Sequence, residues 1–125
     1  MSSWIPPAEI FSHIRLGHHR WRSWKTYEMG VGARGDVRLS GELVCANGDE
    51  AARVERLLPE HIVLTRAEDG CLSFEVARID GALVWRVEEQ FRDAAAFRLH
   101  QRRAAESTWG IETAGIERHY TIEGL

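Results

Sequence analysis

From Val37 onward the hydrophobic pattern alternates between a period of two and the longer period of a helix, and the order of those switches limits the fold to very few plans. "VRLSGELVCA" reads as a strand with Leu39, Leu43 and Cys45 on one face. Asn47 or Asp49 can then cap a helix that runs to about Ala67. After Gly70, "CLSFEVAR" is a second strand, "IDGA" a turn and "LVWRVEEQF" a third strand. Asp93 caps a second helix, "AAAFRLHQRRAA"; residues 105–112 read as a loop, and "AGIERHYTI" as a fourth strand. The order β-α-β-β-α-β predicts an α+β, ferredoxin-like fold, an antiparallel sheet with both helices on one face.

The part before Val37 is different. Pro6-Pro7 can open a short helix with Ile10, Phe11 and Ile14 on one side and Gly17 at its end. Beyond it, "HHRWRSWKTYEMGVGARGD" keeps no regular period. Residues 1–35 therefore read as an N-terminal arm and 36–125 as the folded domain. The arm carries Arg15, Arg20, Arg22, Lys25 and Arg34 against Glu9 and Glu28, a balance of +3. The whole chain stands at −3, so residues 36–125 carry −6. A basic arm on an acidic body can pack on itself or on a second copy. That accounts for "HHRWRSWK" without nucleic acid, which an acidic chain does not favour.

A length of 125 residues suits one domain with one modest core. There is no apolar run long enough for a membrane span and no apolar core of a signal peptide, so the expectation is a cytoplasmic protein with no membrane partner. Cys45 and Cys71, at opposite ends of the sheet and by simple alternation on opposite faces, are expected to be free thiols. Cys71 follows Gly70, where reactive cysteines are often found, but no histidine is placed to activate it, and it reads as a small residue filling a helix-to-strand corner.

The chemistry lies on the helices. At about 100° per residue, Ala51, Val54, Leu57, Leu58, His61, Ile62 and Thr65 share one side of the first helix. Ala96, Phe97, His100 and Ala104 share one side of the second. Each helix thus turns one histidine to the sheet. His61 lies about as far from the end of its helix as His100 lies from the start of the other, roughly 9–10 Å, so antiparallel helices bring both to one level. The facing sheet surface is read as Leu72, Phe74 and Val76, then Leu83, Trp85, Val87 and Phe91, then Ile116, Arg118, Tyr120 and Ile122. Two histidines in an aromatic cavity suit a flat organic ligand. They equally suit two core histidines bonded to backbone carbonyls. The opposite sheet face carries Glu42, Glu75, Arg86, Glu88 and His119, and predicts pairing with a second copy.

"PEHIVLTRAEDGCLSFEV", "VWRVEEQFRDAAAFRLHQRR" and "IERHYTI", with "VRLSGELVCA", resemble the antibiotic biosynthesis monooxygenase family of the dimeric α/β-barrel superfamily, most of all its quinol-monooxygenase branch. The resemblance covers about residues 37–123. It implies a homodimeric barrel that oxidises an aromatic phenol or hydroquinone with O₂, with no metal and no cofactor. His61 and His100 match family positions, as do Glu68, Gly70, Glu88 and Phe91; Glu68, Gly70 and Glu88 are read as structural. The haem-degrading branch uses an Asn on its first strand and a Trp beside its His. Here no Asn precedes Asn47, and Phe97 stands on the second helix, which argues against haem.

The expected machinery follows. His61 and His100 are the catalytic pair, one a neutral base whose ordinary pKa predicts activity rising through about pH 6–7. Arg118 or Arg102 steadies the phenolate. Phe74, Trp85 and Tyr120 stack on the ring, and Trp109 acts as a lid from the loop. The alternative is a non-catalytic, small-ligand-binding or stress-related dimeric α/β-barrel protein using the same pocket.

Overall fold

The computed structural model describes residues 14–16 and 35–125. Its elements are β1 (Ile14–Leu16), β2 (Val37–Val44), α1 (Gly48–Arg66), β3 (Cys71–Arg78), β4 (Val84–Phe91), α2 (Ala94–Glu106), α3 (Thr108–Glu112) and β5 (Glu117–Glu123). The strands lie in the order β1-β5-β2-β4-β3. β2 runs antiparallel to both β4 and β5, and β3 antiparallel to β4. The four strands after residue 36 and the helices α1 and α2 are the ferredoxin-like plan.

Local chemistry sets the boundaries. The Asn47 side chain accepts the Glu50 N–H, and that of Asp93 accepts the Ala96 N–H, so each helix begins at a side chain that satisfies a free backbone donor. Val37, Leu39, Leu43, Val87, Phe91 and Ile122 from the sheet meet Val54, Leu58 and Phe97 from the helices in one core.

Four readings of the sequence change. Ile14–Leu16 form a strand and not part of a helix. They lie parallel to β5, Ile14 opposite Tyr120 and Leu16 opposite Ile122, on the edge of β5 away from β2. The rest of the expected helix, with Pro6, Pro7, Ile10, Phe11 and Gly17, and the stretch up to residue 34 lie outside the described residues. The loop expected over 105–112 contains α3, which Ser107 caps by accepting the Gly110 N–H. Gly110 leaves room for the Ala104 carbonyl, which a Cβ would strike, so α3 folds tightly back on α2.

The other two changes come from one irregularity. The register shifts between Cys71 and Ser73. Cys71 therefore pairs with Phe91 and packs against the core, while Leu72 is 56% exposed. Leu72 thus leaves the helix-facing surface, and Cys71 joins the side that holds Cys45. Both thiols are free and sit at opposite ends of the sheet.

Gly70 sets the approach of the α1–β3 turn to α2. A Cβ there would collide with the Ala96 side chain, which cannot swing away. Gly70→Ala is expected to cost about 1–3 kcal/mol, the usual penalty of overpacking, read from chemical denaturation.

Candidate functional site

Helical spacing brings His61 from α1 and His100 from α2 to one level, with ring centroids 5.9 Å apart. Both are buried, at 5% and 4% exposure. His61 stacks on Trp109 of α3 at 4.8 Å with only 9° between the rings, and Phe74 meets it edge-on at 5.4 Å. Phe91 stacks on His100 at 4.8 Å. The two imidazoles thus sit in an aromatic box built by β3, β4 and α3.

The two rings have different partners. The His100 Nδ1 lies 2.9 Å from Glu68 Oε1. Arg103, one helical turn beyond His100, donates its Nε–H to Glu68 Oε2 at 2.7 Å and an Nη2–H to Thr65 Oγ1 at 2.9 Å. Burial pushes the Glu68 carboxyl up, but the hydrogen bonds and charges of His100 and Arg103 outweigh it and hold it below its ordinary pKa. An ionised Glu68 only accepts, so Nδ1 of His100 donates to it, and Nε2 is the nitrogen turned away from that bond. Nε2 points towards Glu89, whose Oε1 is 3.8 Å away.

His61 has no such support. Its Nδ1 is buried with no hydrogen-bond partner among the described residues. Burial, with the charges of His100, Arg103 and Arg118, pushes its pKa down to about 2. It is a neutral imidazole at any pH near 7, and it supplies no titration at pH 6–7, contrary to the expectation from an ordinary histidine.

Glu89 is the residue that sequence reasoning passed over. It follows Trp85 and Val87 at the strand period and precedes Phe91, so it faces the helices, opposite Leu39 on one side and Phe74 on the other. Its side chain is 9% exposed and its Oε1 has no hydrogen-bond partner among the described residues. Burial raises its pKa; His100 and Arg118 offset part of this and Glu68 adds to it. Alternation was the signal, hidden because a carboxylate in an apolar stripe looks like an exception. Glu88, read as a family position, is on the outer face beside Arg86.

The other expected residues divide. Phe74 and Trp109 touch the histidines, although Trp109 is a buried helix residue and not a loop lid. Trp85 is six residues from Phe91 along β4, about 20 Å at strand rise, and its ring carries the Arg78 guanidinium at 4.8 Å. The histidines therefore lie at the Phe91 end of β4, away from Trp85, which was expected to stack on the ring. Arg102 is exposed; Arg103 is the cation at the site, as three steps from His100 require. Arg118 is buried, donating to the Thr113 and Ile116 carbonyls and to Thr113 Oγ1, and burial lowers its pKa. Tyr120 interacts with Arg118, and burial pushes its hydroxyl up to about 12, so it stays a donor. Among the described residues no group of three or more His, Cys, Asp or Glu is placed to hold a metal ion.

The model of the family described as "antibiotic biosynthesis monooxygenase" matches residues 44–109, which hold α1, α2, His61 and His100. No curated protein matches the chain. Among solved structures, Rv0793 from Mycobacterium tuberculosis is 22% identical over 70% of this chain and 92% of its own, with a TM-score of 0.58. PA3566 from Pseudomonas aeruginosa is 27% identical over 73% of this chain and 92% of its own, at 0.55. A Caulobacter crescentus protein, named provisionally as an antibiotic biosynthesis monooxygenase, is 18% identical over 79% of this chain and 97% of its own, at 0.59.

Proposed function

Since the chain belongs to the antibiotic biosynthesis monooxygenase family, we propose that it is a cofactor-independent monooxygenase acting on an aromatic phenol or hydroquinone with O₂. The observation that carries this reading is the Glu68–His100 pair, a buried imidazole with one nitrogen fixed by a carboxylate and the other turned towards Glu89. Such a pair is a general base. A hydroquinone losing its proton to Nε2 becomes an electron-rich anion that can itself reduce O₂. One oxygen atom enters the ring and the other leaves as water, so hydroquinone and O₂ give hydroxyquinone and water with no outside reductant. His61, held neutral, gives the anion a polar neighbour without a competing charge, while Phe74, Phe91 and Trp109 suit a flat ring.

Two further parts belong to the same proposal. The protein acts as a homodimer through the sheet face that carries Glu42, Glu75, Arg86, Glu88 and His119. Residues 1–35 serve that assembly and not the chemistry, 36–125 being the catalytic domain. The pairing of β1 with β5 supports an arm that joins the sheet. Sedimentation of the full chain at micromolar concentration is expected to give a dimer, and a monomer removes this part. No helix among the described residues is long and apolar enough to cross a membrane. A cytoplasmic location is proposed with it.

The test of the reaction is oxygen uptake by the metal-stripped protein with simple hydroquinones. Uptake in step with hydroxyquinone formation is expected. Binding of the same compounds without any uptake would favour a ligand-binding protein instead.

A further inference from the structure

Glu89 is a buried carboxyl with one oxygen left without a hydrogen-bond partner among the described residues, and that oxygen faces Nε2 of His100 across 3.8 Å. This is too long for a hydrogen bond between them and short enough for one oxygen atom to bond to both. A buried polar group left open in this way calls for an explanation, and a bound group is the simplest. The charged and titratable groups around it are His100 on α2, Glu68 after α1, Cys71 on β3, and Arg118 and Tyr120 on β5. The Arg118 guanidinium is held by Thr113 and Ile116.

We infer that Glu89 is a further catalytic residue, a neutral acid whose O–H donates into the substrate oxygen that His100 deprotonates. The inference rests on the hydroquinone reading above and adds a second group to it. In the step, the substrate O–H bond breaks and its proton forms the Nε2–H bond of His100. The bonding pair stays on the substrate oxygen as a phenolate. The new imidazolium is balanced by Glu68 through Nδ1–H, and the phenolate by the Glu89 O–H. Nothing is oxidised or reduced until O₂ arrives. The depth of burial that raises the Glu89 pKa favours the protonated form the step requires.

The test compares Glu89→Gln with Glu89→Leu. A glutamine can still donate an N–H to the phenolate, so Glu89→Gln is expected to keep kcat/KM for a hydroquinone within about fivefold. Glu89→Leu removes the donor and is expected to lose about 10²–10³-fold, the usual effect of one oxyanion donor. If Glu89→Gln is as inactive as Glu89→Leu, Glu89 works as a carboxylate and the inference fails. It also fails if both variants match the wild type. An infrared difference spectrum between wild type and Glu89→Gln at neutral pH should show the carbonyl band of a protonated carboxyl, shifting in D₂O; carboxylate bands alone overturn the inference. If wild-type protein oxidises no hydroquinone, the proposed function fails by itself. Phenol binding by calorimetry, at least tenfold weaker in Glu89→Leu than in wild type, together with the infrared band, then upholds the role of Glu89 in binding, and equal binding removes it.

Discussion

His100→Gln is expected to lower hydroquinone turnover by about 10²–10⁴-fold, the usual worth of a general base, with the fold retained. The reason is the asymmetry of its two nitrogens. Glu68 fixes Nδ1 at 2.9 Å, and in the proposed reaction that contact leaves Nε2 to act as a base of defined direction. Glutamine can still bond Glu68 but cannot take a proton. Glu68 also keeps its Arg103 bond, so the loss in stability should stay near 1–3 kcal/mol. Glu68→Gln should give a smaller loss, because the base remains and only its orientation and the charge behind it go. Arg102→Ala, exposed on α2, should leave turnover unchanged. A core histidine with no chemical role gives the opposite result in His100→Gln, a fall in melting temperature with specific activity unchanged.

The pH dependence of stability should change most in His61→Phe. In the folded chain the His61 pKa is about 2, against about 6.5 when unfolded. Between those values the unfolded chain binds a proton that the folded chain refuses. The His61 contribution is therefore complete above about pH 6.5 and is lost as pH falls, at about 1.4 kcal/mol per unit well below it. Glu89 works in the other direction. Its pKa is raised, so the folded chain keeps a proton that the unfolded one releases above about pH 4.3, and its contribution is lost as pH rises. Glu68, with a lowered pKa, contributes fully above the ordinary Glu pKa and loses that contribution as pH falls from there through its own lowered pKa. The contributions of His61 and Glu89 thus have opposite pH dependence. Denaturant unfolding of wild type and His61→Phe at pH 5 and pH 7 isolates His61. The stability difference should favour the wild type by about 2 kcal/mol more at pH 7 than at pH 5. An equal difference at the two values would mean that His61 titrates normally.

The sequence carried the fold because nearly every element states its own period. The apolar stripe of α1 and the alternation of β4 are visible without tertiary information, and the caps Asn47 and Asp93 mark where the helices begin. The level shared by His61 and His100 follows from helix rise alone. What escaped depended on long-range geometry. The bulge at Cys71/Ser73 reverses which residue faces the core, and no local pattern announces it. Trp109 reaches His61 only because α3 folds back at Gly110. The strand at Ile14–Leu16 forms on a β5 edge about 100 residues away in the chain. Glu89 and Arg103 were legible in principle, by strand alternation and by three helical steps from His100. They were passed over because charged residues on a buried face contradict the rule that polar residues face water.

The central claim is that a buried imidazole backed by Glu68 lets the protein oxidise a phenolic ring without a cofactor. The most direct measurement is oxygen uptake by metal-stripped wild-type protein with a hydroquinone, beside His100→Gln under the same conditions. The expected result is uptake matched by hydroxyquinone in the wild type and nearly none in the variant. Equal rates in the two proteins, or no uptake above the spontaneous oxidation of the hydroquinone, would contradict it.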